Sequence, residues 1–179
     1  LAEVSNNLLA IYVTRSFGND LRLSTDNNYD AVRAAVIDKK ISYLLDPNLF
    51  NRLVPFWQLQ LYFEGVGNNP DFYPDLFETL RQQANSMGAG DLKRTGKSIK
   101  ERNPAVHQLN FVKTACAVAK VDLTDFFDAY GFFYVGDLTY DDYGIYDYKM
   151  TQSMVDQCKK EIANMQLVKP KIDISTLRD

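Results

Sequence analysis

The chain has 179 residues, of which 46% are hydrophobic and 24% charged, as in ordinary soluble globular proteins, and this length is enough for one domain with a proper core. Its net charge of −3 gives no electrostatic case for binding nucleic acid or an anionic membrane surface. No apolar run approaches the ~18 residues that a membrane-spanning helix needs, and the N-terminus lacks the basic start of a signal peptide.

The first predicted element is a helix over residues 1–13. Its apolar side chains cover most of the circumference, which predicts a buried helix. They are Leu1, Val4, Leu8, Leu9, Ile11, Tyr12 and Val13. Glu3, Asn6 and Asn7 form a polar strip at i, i+3 and i+4. Spacing alone favours a half-solvated Glu3 near the helix N-terminus over a buried carboxylate that needs a cation, a metal or several donors.

A second helix is predicted over Tyr29–Lys39, with Asp26 or Asn27 as its N-cap. Asp46-Pro47 is then expected to begin a new element, because proline suits the first turn of a helix.

The aromatic-rich segment 49–63 is predicted to be a central helix, which Pro55 should either kink or restart. Trp57 has two interpretations: packing in the core, which is favoured, or the wall of a binding pocket. Gln58 and Gln60 are expected to supply polar groups to this helix.

A short amphipathic helix is predicted over Tyr73–Arg81, followed by a loop over Met87–Asn103. Five basic residues in that loop could form an anion site, but neighbouring acidic residues and the lack of aromatics favour a solvated loop. A long helix is expected over Pro104–Lys120. His107 on it is the single histidine of the chain, which excludes a two-histidine metal site formed by these residues alone.

The last third of the chain changes its periodicity. A short helix capped by Asp122 is expected to end at Tyr130-Gly131, and the Tyr- and Val-rich segment 132–149 predicts a β-hairpin. Thr151 should cap a final helix to about Met165, before an extended tail. Cys116 is interpreted as a buried hydrophobe, and its pairing with Cys158 stays open.

These elements predict a mainly α fold: a helical bundle-like subdomain with a short β-hairpin near the C-terminus, in a single domain over 1–179.

Several strings, taken in order, resemble the enhancin-like zinc metallopeptidases, family sixty of the metallopeptidases, many of which act on mucin-type glycoproteins. The strings are Glu3-Val4-Ser5-Asn6-Asn7-Leu8, Arg52-Leu53-Val54-Pro55-Phe56-Trp57-Gln58-Leu59, Asp71-Phe72-Tyr73-Pro74-Asp75-Leu76, Asn110-Phe111-Val112-Lys113-Thr114-Ala115-Cys116, Asp122-Leu123-Thr124-Asp125-Phe126-Phe127 and Gly131-Phe132-Phe133. Any one string is weak evidence, but together they cover most of the chain in the order found in that family.

The resemblance implies a role for the polar strip. In that family an H-E-x-x-H helix supplies two zinc-binding histidines and a general base, and a downstream helix supplies a glutamate ligand. Glu3 is then the implied zinc ligand, and a divalent ion would offset the cost of burying its charge. Asn6, Asn7 and Trp57 are candidates for supporting the ligand or contacting substrate.

No H-E-x-x-H sequence occurs in the chain, so the resemblance implies that both histidines and the base precede Leu1. The chain is therefore expected to be the C-terminal, helical half of a gluzincin-type catalytic domain, inactive and unable to hold zinc by itself. Its implied partners are the upstream half of that domain and a glycoprotein or peptide substrate, and its implied location is secreted or cell-surface.

Two other functions remain open. The first is a non-catalytic helical module in which aromatics such as Trp57, Tyr62 and Tyr73 line a carbohydrate or peptide groove. The second is a purely structural C-terminal domain that binds neither zinc nor a ligand.

Overall fold

The computed structural model describes the backbone of residues 2–86, 103–141 and 145–179, and the side chains of 6–84, 103–141 and 145–179. Within these residues, no helix has the length and apolar character needed to span a bilayer. The chain divides into two compact units. Unit 1 comprises Leu1–Pro70, Asp125–Tyr134 and Pro170–Asp179, and unit 2 comprises Asp71–Thr124 and Val135–Lys169.

Unit 1 is helical in its described residues. Its elements are α1 (Ala2–Ser16), α2 (Arg22–Thr25), α3 (Asn28–Val32), a π-helical turn (Arg33–Ile37), a 3₁₀ turn (Tyr43–Leu45), α4 (Leu49–Glu64), α7 (Thr124–Ala129) and a second 3₁₀ turn (Ile174–Thr176). Helices α1, α2 and α3 and the second 3₁₀ turn all pack against α4.

Helix α4 is the centre of unit 1. It begins after Asn48, whose side chain accepts a hydrogen bond from the Phe50 backbone N–H at 2.9 Å, so Asn48 rather than Asp46-Pro47 starts this element. The helix continues through Pro55 without restarting, and ten of its side chains are buried. The predicted central helix is therefore confirmed as one continuous helix that contains Pro55.

The prediction that α1 is buried around most of its circumference is wrong. Leu8 and Ile11 are buried, but Leu9, Tyr12 and Val13 are 60%, 48% and 51% exposed. Within the described residues, α4 is the main element that packs on α1, so only one side of the helix is covered.

The predicted helix over Tyr29–Lys39 is shorter than expected as an α-helix and continues as the π-helical turn. Val32 and Val36 both stay buried along this segment, so the predicted apolar face is present. Asn27 occupies the N-cap position with a left-handed backbone, at φ 55°, but its side chain makes no capping bond.

The end of α7 packs closely against the first 3₁₀ turn. The Tyr43 N–H donates to the Tyr130 carbonyl at 3.1 Å, and the rings of Tyr43 and Phe132 stack with centroids 4.3 Å apart. Gly131, between Tyr130 and Phe132 in the sequence, has φ +69°, and a Cβ at this position would lie 2.1 Å from the Ile41 carbonyl oxygen. Glycine is required here for both conformation and space.

The C-terminal tail, which was predicted to be extended, includes the second 3₁₀ turn and packs against the rest of unit 1. Ile174 is 1% exposed, and the Lys171 N–H donates to the Tyr62 hydroxyl at 3.1 Å. Arg178 pairs with Asp30, and this hydrogen bond lowers the pKa of the Asp30 carboxyl. The last ten residues are thus part of unit 1.

Unit 2 combines helices with the hairpin. Its elements are α5 (Phe72–Ser86), α6 (Pro104–Ala119), β1 (Gly136–Asp141), β2 (Ile145–Met150) and α8 (Gln152–Asn164). Strands β1 and β2 are antiparallel, with Gly136 opposite Met150 and Asp141 opposite Ile145. Thr151 caps α8 as predicted, accepting a hydrogen bond from the Met154 N–H.

Helix α6 is the centre of unit 2 and contacts α5, β2 and α8. Asn103 caps it and also exchanges hydrogen bonds with both backbone groups of Lys149 on β2. Cys116 and Cys158 are both free and buried, and burial raises the pKa of their thiols to about 12 and about 11. They remain protonated thiols at neutral pH.

The predicted fold class is confirmed: the described chain is mainly helical, with one two-stranded antiparallel hairpin near the C-terminus. That 1–179 forms a single domain stays a prediction. The predicted basic loop at 87–103 lies outside the described residues except for Asn103.

Candidate functional site

Helix α1 carries the residues that the sequence singled out. Glu3, Asn6 and Asn7 follow one another at i, i+3 and i+4, and the helix includes all three positions. The Asn6 side chain is exposed and that of Asn7 is half-buried, whereas the Glu3 side chain lies outside the described part of the structure. By helical spacing, Asn7 lies on the side of Ile11, which is buried, and Asn6 lies on the side of Leu9, which is exposed.

The other candidate, Trp57, lies in the core of unit 1. It is 0% exposed, and its indole N–H has no hydrogen-bond partner among the described residues. The Arg15 guanidinium lies 5.8 Å from the centre of the Trp57 ring and contacts the Glu64 carboxylate at 2.5 Å. Trp57 therefore lies beneath the C-terminal end of α1, about three helical turns from Glu3.

The structure contains two buried hydrogen-bond networks that the sequence did not predict. The Gln58 amide, which is 1% exposed, donates to the carbonyls of Ser175 and Leu177 at 2.9 Å each and accepts from the Tyr130 hydroxyl. Burial is the main cause of the raised pKa of the Tyr130 hydroxyl. The sequence marked Gln58 as polar but contained no signal for partners more than 100 residues away.

The second network is a chain of buried amides below α3. The Asn28 amide donates to Asn51 at 2.8 Å, and the Asn51 amide donates to the Asp46 carboxylate at 2.9 Å. The Asn28 carbonyl oxygen has no hydrogen-bond partner among the described residues. This chain connects α3, α4 and the 3₁₀ turn before α4, and it has the character of a structural network.

The described residues do not form a complete metal site. No group of three or more His, Cys, Asp or Glu side chains among them could hold an ion. His107 is exposed on α6 in unit 2, and the two thiols are buried and protonated. The polar strip of α1 contains one carboxylate and two amides, and a carboxylate oxygen is a ligand type that zinc accepts.

Comparison with known proteins assigns the chain to a family. The description "Peptidase M60, enhancin and enhancin-like" matches residues 1–131, which include α1, α4, α6 and α7. The chain belongs to the M60 family. It is part of an M60 metallopeptidase-like domain, as the strings on α1, α4 and α6 predicted.

Solved structures resemble the chain over most of its length. A metallopeptidase from Bacteroides thetaiotaomicron has 24% identity and a TM-score of 0.73, with the match covering 98% of this chain and 28% of that one. A functionally unknown conserved protein from Bacillus anthracis str. Ames has 21% identity and a TM-score of 0.63, over 97% of this chain and 28% of that one. These two similarities concern the fold.

A metallopeptidase in complex with Tn antigen has 28% identity and a TM-score of 0.59, with the match covering 75% of this chain and 22% of that one. The M60 chain described here thus spans less than a third of each of these structures. No curated protein matches it.

Proposed function

We propose that this chain is the C-terminal part of the catalytic domain of an M60 zinc endopeptidase, with Glu3 as the third metal ligand. The observation that carries the proposal is the family match, which begins in α1 and includes the polar strip. Bound zinc would lower the pKa of a coordinated water and polarise a peptide carbonyl. Two histidines and the general base would come from the rest of the domain.

Helix α1 suits this role for Glu3. It packs against α4, which is anchored by buried aromatic side chains on several sides, so its backbone has a rigid support. Asn6 and Asn7 lie one turn from Glu3, at i+3 and i+4, where amide groups can hydrogen-bond a liganding carboxylate and fix its orientation.

The experiment is zinc analysis of the complete peptidase carrying Glu3→Gln, which keeps the shape of the side chain and removes its charge. We expect about one zinc per wild-type molecule, and a zinc affinity at least tenfold lower in the variant because a charged ligand is lost. Glu78→Gln on the exposed side of α5 is the matched control and should keep its zinc. Equal zinc affinity in the Glu3 variant and the wild type would contradict the ligand assignment.

We further propose that the substrates are glycosylated proteins of the mucin type, met outside the cell, so that the peptidase is secreted or held at the cell surface. The support is that a similar metallopeptidase was solved in complex with Tn antigen. The test is the rate of hydrolysis of one peptide with and without a Tn-type O-glycan. A faster rate on the glycosylated form is expected, and equal rates would refute glycan recognition.

The alternative of a non-catalytic binding module has no specific observation in its favour. Trp57, Tyr62 and Tyr73, the aromatics considered for a carbohydrate groove, are 0%, 2% and 5% exposed. Side chains this deeply buried offer no open face to a ligand.

A further inference from the structure

One side of α1 carries a row of exposed apolar side chains. Leu9, Tyr12, Val13 and Phe17, here called the apolar row, are 60%, 48%, 51% and 79% exposed. Leu9, Tyr12 and Val13 follow the spacing i, i+3 and i+4, which places them on one side of the helix. Phe17 comes directly after Ser16, the last residue of α1, and its N–H donates to the Val13 carbonyl at 3.2 Å. Single exposed apolar residues are normal on a protein surface, but a contiguous row of four marks an interaction surface.

The polar groups near the apolar row are suited to burial. The Ser16 hydroxyl, which lies on the same side, donates to the Tyr12 carbonyl at 2.8 Å, and the Thr14 hydroxyl donates to the Ala10 carbonyl at 2.9 Å. Because each hydroxyl already has a partner within the helix, covering this side costs little desolvation.

The chemistry of the apolar row narrows the choice of partner. Its members are uncharged, and Arg15, the basic residue in the α1 sequence, lies on another side of the helix by spacing and pairs with Glu64. A nucleic acid or an acidic peptide would find no opposite charge here. An uncharged apolar surface fits, as in the packing of one helix against another.

We infer that the apolar row is the surface on which the remainder of the same peptidase packs, an inference that rests on the proposed function. More than two thirds of each similar solved structure lies outside the part matched by this chain, so a large partner surface belongs to the same molecule. Asn6 of the polar strip lies on the side of Leu9, so a segment covering the row also reaches the edge of the strip. A second copy of this chain would cover the row without supplying histidines to that edge.

The experiment compares the double variant Leu9→Ser/Val13→Ser in the 179-residue chain and in the complete peptidase. Both side chains are exposed in the chain, so its melting temperature should change by no more than about 1 °C. In the complete peptidase the same pair would be buried, and the melting temperature should fall by about 5 °C or more. Val106→Ser, which changes an equally exposed helical valine in unit 2, is the matched control and should have little effect in the chain.

Two outcomes overturn this inference. An unchanged melting temperature of the complete peptidase carrying Leu9→Ser/Val13→Ser would show that nothing packs on the row. A dimer of the 179-residue chain in light scattering that the double variant dissociates would assign the row to a second copy. Failure of the proposed function is read from a different measurement, the zinc content of the Glu3→Gln variant. If the double variant destabilises the complete peptidase but Glu3→Gln keeps its zinc, the packing surface is supported and the assignment of Glu3 as a ligand is wrong.

Discussion

Gln58 is the residue on which three parts of unit 1 converge. Its amide binds two tail carbonyls and the Tyr130 hydroxyl in a position that is 1% exposed. A buried polar group without a partner costs about 1–3 kcal/mol, whereas a satisfied hydrogen bond contributes less than that. The consequence of removing Gln58 therefore depends mainly on the partners left behind.

We expect Gln58→Ala to lower the free energy of unfolding by about 2–4 kcal/mol, because it leaves the Ser175 and Leu177 carbonyls and the Tyr130 hydroxyl unpaired. Urea unfolding followed by circular dichroism measures the change. Gln60→Ala, two residues along the same helix and half-buried, is the control and should cost about 0.5 kcal/mol or less. Equal midpoints for the two variants would mean that the Gln58 hydrogen bonds contribute nothing net.

The same residue shows where inference from sequence ends. Periodicity identified Gln58 as a polar position on an apolar helix, but its partners lie 72, 117 and 119 residues away in the chain. Hydrogen bonds over such separations depend on tertiary structure, which periodicity does not encode. Glu3 is a different case: spacing favoured an ordinary helix-terminal carboxylate, and its role as a metal ligand was implied only by the resemblance to a family and stays a prediction.

At the scale of elements, helices with clear signals were predicted well. Asn103 precedes Pro104 at the start of α6, and Thr151 caps α8, because capping side chains and an N-terminal proline are local features. The burial of α1 was predicted wrongly because burial, unlike capping, depends on elements elsewhere in the chain. Apolar composition shows that a surface is suited to burial but not which other element covers it.

The tail was the other element that sequence could not resolve. Its segment 170–179 has no regular periodicity, yet it supplies Ile174 to the core and backbone carbonyls to Gln58. A short segment of this kind is held by the residues it meets and not by its own propensity.

The tail offers a matched pair of isoleucines for testing its contribution. Ile174 is 1% exposed and Ile172 is 38% exposed, two residues earlier. We expect Ile174→Ala to reduce the free energy of unfolding by about 2–5 kcal/mol, the range for truncating a buried isoleucine, and Ile172→Ala to reduce it by about 1 kcal/mol or less. Thermal and urea unfolding measure both. A small effect at Ile174 would mean that the tail separates from unit 1 before the core unfolds.

At the scale of the whole molecule, the sequence gives the fold class because helices and a hairpin follow from local patterns. It does not give the division into two compact units, since each unit is assembled from segments far apart in the chain. Unit 1, for example, combines the first 70 residues with 125–134 and the last ten. Contacts of this kind depend on the way the chain returns to earlier elements, which no single window of sequence contains.

Metal linkage tests the relation between this chain and a complete peptidase. An ion that binds only the folded state stabilises it by RT ln(1 + [L]/Kd), about 4 kcal/mol when the ion is present at 1,000 times its Kd. If histidines from the rest of the domain complete the ligand set, as proposed, added zinc should leave the melting temperature of the 179-residue chain unchanged. The complete peptidase should instead lose several degrees of melting temperature when a chelator removes its zinc, and regain them when zinc but not magnesium is restored. Zinc-dependent stabilisation of the 179-residue chain alone would show that its own residues form a metal site, and the proposal that histidines from the rest of the domain complete the ligand set would then fail.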